Sequence, residues 1–178
     1  MRVALDIDGV LRDFNSALET RYSLSFPGHD PPQEPDQWDL SQAYPECKDI
    51  NEFAFVTHAA TLFGHAPVYP GARWFFKELS RKHDVTLVTF QRPNLVEPTI
   101  HWLQRNGFPI DKLFFTGDKF LCNADVLIDD APHFITQWVE IQQAPAIKMF
   151  RPWNAGFEGS MIHTCYTYRQ ILETLYNL

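Results

Sequence analysis

The hydrophobic pattern changes character part-way along the chain. From residue 72 onward, short apolar runs alternate with longer segments of helical character. Asp84 to Phe90, Lys112 to Thr116, Val126 to Asp130 and Ala146 to Phe150 read as strands, short and rich in β-branched or aromatic residues. Arg73 to Lys82, Glu97 to Asn106, Phe134 to Gln142 and Tyr168 to Leu178 read as helices. Pro98 then falls in a first turn and Gly107 just past a helix end, the usual asymmetry of helix termini. Strands separated by helices of this length need crossovers, which makes the sheet parallel and covers both of its faces.

The opening stretch, Val3 to Leu11, has the continuous apolar character of a buried strand, broken by Asp6 and Asp8 and followed by Gly9. Strand geometry puts residues i and i+2 on one face, so both acids are expected to point the same way. Between this strand and residue 72 the pattern is different. Arg12 to Leu24 places Phe14, Ala17, Leu18 and Tyr22 at helical spacing. Phe26 to Pro35 holds four prolines and a glycine and reads as loop. Trp38 to Ser41 and Asn51 to Leu62 read as short helices, with Ser41 a candidate N-cap, and Val68 to Gly71 as a turn. The expected architecture is α/β: a Rossmann-like parallel sheet with helices on both faces, formed by residues 1–14 and 71–178. A small helical cap, residues 15–70, is inserted after the first strand.

Composition narrows the function classes. The 178 residues are 45% hydrophobic, enough for one domain with a sizeable core. A net charge of −7 argues against a nucleic-acid polymer or an anionic membrane as partner, while leaving room for a small phosphorylated ligand. No apolar run has the length of a membrane span. Three widely spaced cysteines fit reduced thiols, and a cleavable leader would remove Asp6 and Asp8; both point to the cytoplasm. Oligomeric state is open, a homodimer included.

In open α/β sheets, ligands bind beyond the carboxyl ends of the strands. This sequence puts Asp6 and Asp8 there, then Thr89 with Gln91 and Arg92, then Lys119, then Asp129 and Asp130. Clustered acids suit a hard cation such as Mg²⁺, which retains waters and recruits phosphate oxygens. A lysine and a hydroxyl suit the remaining phosphate oxygens. One carboxylate can attack phosphorus and a second can move the proton. Plainer readings stand beside these: Asp130 as a helix cap, Thr89 bonded within its own loop, Lys119 solvated, Arg92 in a turn.

Asp6-Ile7-Asp8-Gly9-Val10-Leu11, Thr89 at a strand end, Lys119, and Asp129-Asp130 after Leu127-Ile128 resemble, in order, the four motifs of the haloacid dehalogenase-like hydrolase superfamily. Lys119 to Pro132, Phe150 to Asn154 and Val68 to Ala72 are further similar to the 5′(3′)-deoxyribonucleotidase family. The resemblance implies Asp6 as nucleophile and Asp8 as general acid/base. It implies Mg²⁺ on Asp6, the Asp8 backbone carbonyl and Asp129, with Asp130 acting through water. Thr89 and Lys119 would bind phosphate, and the substrate would be a nucleoside monophosphate, dephosphorylated through an aspartyl-phosphate. Phe14, Trp38, Phe53, Phe55 and Phe63 are candidates for stacking a base, against the alternative of filling the core of the cap. Trp153 and Asn154 either reach the site or fix their loop. Two other functions remain open: a phosphatase of another small phosphomonoester such as a sugar phosphate, and a non-catalytic phosphate-binding module.

Overall fold

The computed structural model describes residues 1–29, 35, 36 and 39–178. Six parallel strands form the sheet: β1 (Arg2–Leu5), β2 (Asp84–Thr89), β3 (Leu113–Phe115), β4 (Val126–Asp129), β5 (Ala146–Met149) and β6 (Ile162–Cys165), in the order β3-β2-β1-β4-β5-β6. β1 lies inside the sheet, with Val3 opposite Val85 on one side and Val126 on the other. Its apolar run is continuous because both faces are covered.

Alternation along the strands feeds two separate apolar layers. Val3, Leu5, Leu87, Val126, Ile128 and Ile147 face one layer, with Phe75 and Leu79 of α4 (Ala72–Lys82), Trp102 of α5 (Pro93–Arg105) and Ile171 of α7 (Tyr168–Asn177). Ala4, Val88, Leu127 and Ala146 face the other, against Ile135 and Trp138 of α6 (Pro132–Gln142). The period of two follows from the pleat.

Between β1 and β2 the chain forms α1 (Phe14–Ser25), α2 (Ile50–Glu52) and α3 (Ala59–His65). Leu18, Tyr22, Tyr44, Ile50, Ala54, Leu62 and Phe63 make a core of their own, closed by Leu95 from α5. The chain leaves and returns side by side: Asp13 N donates to the Pro67 carbonyl at 2.9 Å and Tyr69 N to the Leu11 carbonyl at 3.0 Å. Two further bonds tie the inserted helices to α5. Trp102 Nε1 donates to the Ala66 carbonyl at 2.7 Å, and Asn94 Nδ2 to the Phe55 carbonyl at 2.8 Å.

Several elements depart from the sequence reading. α1 begins at Phe14, because the Asp13 side chain accepts from Ser16 N at 3.1 Å and caps it; Arg12 stays outside. The 3₁₀ turn Leu40–Gln42 is capped by Asp39, which accepts from Ser41 N at 2.9 Å, so Ser41 is not the cap. The single helix expected over Asn51 to Leu62 is split by a π-helical turn, Phe53–Thr57, with His58 N bonded to the Phe53 carbonyl at 3.0 Å. α5 starts at Pro93, so Pro98 sits in its interior and Pro93 takes the first-turn position. β6 was not anticipated: it pairs with β5 at the sheet edge and carries half-buried His163 and Thr164 between Ile162 and Cys165. Trp38 lies outside the described residues. Among the described residues no helix is long and apolar enough to cross a membrane.

Candidate active site

Parallel strands deliver their C-terminal ends to one rim, and the candidate residues gather there. Asp6 directly follows β1, its N–H still in the ladder to the Ile128 carbonyl at 2.9 Å. Asp129 ends β4 and Asp130 comes next; Thr89 ends β2. Lys119 opens a 3₁₀ turn, Lys119–Leu121, after β3. One oxygen from each of Asp6, Asp129 and Asp130 lies within 4.8 Å of the others, and all three residues are buried. The Lys119 ammonium bridges two of them, 2.8 Å from Asp6 Oδ1 and 2.7 Å from Asp129 Oδ2. The ring of Phe134 lies beneath this ammonium, with Nζ 4.3 Å from its centroid. The solvated reading of Lys119 therefore falls.

Gly9 makes the cluster possible. Its φ is +71°, and a Cβ built on it would stand 2.2 Å from Asp130 Oδ2. The Asp130 carboxyl fills the space that any other residue's side chain would need. Asp130 does not cap α6: Ala131 is the cap residue, and Ala131 N donates instead to Asp129 Oδ1 at 2.9 Å. Trp153 Nε1 donates to Asp130 Oδ2 at 2.8 Å, so Trp153 reaches the site. Asn154 holds the loop, donating to the carbonyls of Asp130 and Met149 at 2.8 and 2.9 Å.

Asp8 lines the same cleft as Asp6, held by partners of its own. The chain bends after Asp6: Leu11 N and Arg12 N both close on the Ile7 carbonyl at 2.8 Å. The regular strand ends there, and the Asp8 carboxylate joins a hydrogen-bond network apart from the Lys119 bridge. Arg12 Nε and Nη2 grip its two oxygens at 2.6 and 2.8 Å, and Gln91 Nε2 donates to Oδ2 at 2.6 Å. The Asp8 carboxylate thus stands outside the group formed by Asp6, Asp129 and Asp130. Gln91 also makes a long 3.4 Å contact with Thr89 Oγ1. The sequence reading gives Arg12 no role and places it first in a helix. Its signal was an arginine four residues after Asp8, inside an apolar run with no helix yet begun.

Burial and crowding set the charges. Asp6 is pushed up to about 7, first by burial and then by Asp129 and Asp8, with Lys119 opposing. Asp130 is raised well above the ordinary carboxylate range by burial and by the charges of Asp129 and Asp6. Burial pulls Lys119 down, but Asp129 and Asp6 outweigh it and its pKa is raised. Three buried carboxylates facing one ammonium leave negative charge uncompensated, and hard oxygens this close suit Mg²⁺.

Asp6, Asp8, Thr89, Lys119 and Asp130 line one cleft of about 550 Å³, the size of small-ligand pockets. Its opposite wall is aromatic and comes partly from the inserted helices: Phe14, Phe55 and Phe63, with Phe90, Phe134 and Trp153 from the sheet side. Phe14 stacks on Phe55 at 5.6 Å and 16° and leans on Phe63 at 4.9 Å. The π-helical turn carries Phe55 into this wall. Arg92 stacks its guanidinium over Phe55 at 4.8 Å. Phe53 belongs elsewhere: it packs on Phe26 at 5.9 Å and His58 at 4.5 Å, in the core of the inserted helices.

Residues 1–171 match the family described as 5′ nucleotidase, deoxy (pyrimidine), cytosolic type C protein. A Chlorobaculum tepidum protein named as a candidate 5′(3′)-deoxyribonucleotidase is 28% identical over 148 residues, 76% of this chain and 72% of that one. A Bordetella pertussis protein of the same name is 30% identical over 141 residues, 74% of this chain and 75% of the other. Among solved structures, a magnesium-bound hydrolase of the haloacid dehalogenase type from Bacillus subtilis superposes with a TM-score of 0.63. It is 14% identical, and 98% of each chain is covered.

Proposed function

From a chain that belongs to the cytosolic type C family of deoxy (pyrimidine) 5′-nucleotidases, we propose a Mg²⁺-dependent phosphatase acting on nucleoside monophosphates, deoxyribonucleotides above all. The observation that carries this reading is the meeting of Asp6, Asp129, Asp130 and Lys119 at the floor of a cleft walled by aromatic rings. The ion would be held by Asp6, the Asp8 backbone carbonyl and Asp129, with Asp130 acting through water. When bound, it supplies positive charge to the phosphoryl oxygens.

Asp6 attacks phosphorus, the bond to the nucleoside oxygen breaks, and an aspartyl-phosphate forms on Asp6. Asp8 gives its proton to the departing oxygen. It then takes a proton from the water that attacks the phosphorus of the acyl phosphate, which frees phosphate and restores Asp6. Turning the Gln91 amide presents its carbonyl oxygen to a protonated Asp8, so this neighbour suits both forms. Lys119 and Thr89 bind phosphate oxygens. The base stacks on the Phe14, Phe55 and Phe63 wall. Residues 15–70 act as a cap over a core of 1–14 and 71–178, and its closure excludes water during transfer. A cytoplasmic location completes this reading.

Phosphate release from a panel of nucleoside monophosphates, with Mg²⁺ and with chelator, tests it. Deoxyribonucleoside monophosphates should be hydrolysed only with the metal. Asp6→Asn should lower turnover at least about 10³-fold while keeping the fold. No release from any nucleotide would reject the substrate class.

A further inference from the structure

We infer that Arg12 is a positioning residue for Asp8, fixing its carboxylate in the cleft and coupling it to the inserted helices. The inference rests on the proposed role of Asp8. Arg12 is 0% exposed and does not line the cleft among the described residues, so it touches no substrate. A fully buried arginine needs partners for its charge and its donors, and the geometry supplies them from three directions. Nε and Nη2 take both oxygens of Asp8 in a fork, at 2.6 and 2.8 Å. Nη1 donates to the Phe63 carbonyl in α3 at 2.9 Å and to Thr99 Oγ1 in α5 at 3.1 Å. The guanidinium carbon lies 4.8 Å from the Phe63 ring centroid and 5.2 Å from that of Trp102.

A planar group held edge and face by two helices has almost no freedom. Because the fork is bidentate, Asp8 inherits that rigidity, and its rotamer is set by where α3 and α5 stand. Phe63 closes the coupling. Its carbonyl orients Arg12 while its ring lines the cleft, so a ligand that shifts α3 shifts the Asp8 carboxylate as well. A lysine at position 12 keeps the charge but, as a point donor, cannot fix both oxygens.

The test is steady-state hydrolysis of an aryl phosphate, with Mg²⁺, by wild type, Arg12→Lys, Asp8→Asn and the double variant, each first checked for a native melting transition. Misplacing a proton-transfer group costs up to about 10²-fold. Arg12→Lys should lower kcat about 10–100-fold with KM within about 3-fold. In the Asp8→Asn background the same substitution should change kcat by less than about 2-fold, since Arg12 acts only through Asp8. Arg12→Lys with wild-type kcat, or an equal loss in both backgrounds, overturns the inference while leaving the phosphatase reading intact. A wild type inactive on the aryl phosphate and on every nucleoside monophosphate overturns both. If Arg12→Lys fails to fold, Thr99→Val, which removes one Arg12 contact from a side chain away from the cleft, should lower kcat several-fold at constant KM. An unchanged kcat there overturns the inference too.

Discussion

Replacing Lys119 by methionine would remove the only ammonium within reach of the described acid cluster while keeping an unbranched side chain of similar volume. The ammonium lies 2.8 Å from Asp6 Oδ1 and 2.7 Å from Asp129 Oδ2. At an effective dielectric constant of about 20, each contact carries a gross attraction of about 6 kcal/mol. Its loss also leaves carboxylates within 4.8 Å of one another, repelling by about 3–4 kcal/mol per ionised pair. Proton uptake by Asp6, already pushed up to about 7, relieves part of this. The net cost should match that of breaking a buried pair, about 3–5 kcal/mol. For a chain of this size that lowers the melting temperature by roughly 6–20 °C. Urea and thermal unfolding in chelator measure it directly. Mg²⁺ should then stabilise Lys119→Met more than wild type, since a divalent ion replaces the missing positive charge. A variant as stable as wild type in chelator, or one indifferent to Mg²⁺, would show that these acids are not electrostatically crowded.

Gly9→Ala should be more disruptive than a single methyl suggests. It forces a positive φ on alanine and drives Cβ to 2.2 Å from Asp130 Oδ2, so a loss of about 3 kcal/mol in urea unfolding is expected, together with weakened Mg²⁺ binding by calorimetry. Phe55→Ala removes one ring of the Phe14 stack, and kcat/KM for a deoxyribonucleoside monophosphate should fall about 5–100-fold, the range for losing one base-stacking contact; an unaltered value would move the base elsewhere.

The sheet and the acids were legible because they are written locally. The runs of β1, β4 and β5, Val3 to Leu5, Val126 to Asp129 and Ala146 to Met149, are buried on both faces, and burial on both faces leaves a continuous apolar signature. β6 escaped notice because an edge strand with His163 and Thr164 half-exposed has no such signature. The link between Asp6 and Lys119 was legible in chemistry but not in geometry, since 113 residues separate them. Asp6 and Asp8 reach one cleft, but the partners of Asp8 were not legible, because they come from the turn after Ile7 and from Gln91. Arg12 was hidden by a helical pattern that begins two residues later. Phe53 and Phe55, two residues apart on one helical turn, face opposite sides, one ring packing in the inserted core and the other lining the cleft.

The position of β1 has a consequence for how the polypeptide acquires its shape during synthesis. Its two neighbours, β2 and β4, are encoded more than eighty and more than one hundred and twenty residues downstream. Until β4 has left the ribosome, a strand of valine, alanine and leucine waits with one edge or both edges bare. Pairings of such sequence separation form slowly and leave sticky intermediates. Nascent chains halted before Val126 should therefore depend on holding chaperones and yield no ordered acid cluster, whereas release of the full sheet completes the cluster in a single cooperative step.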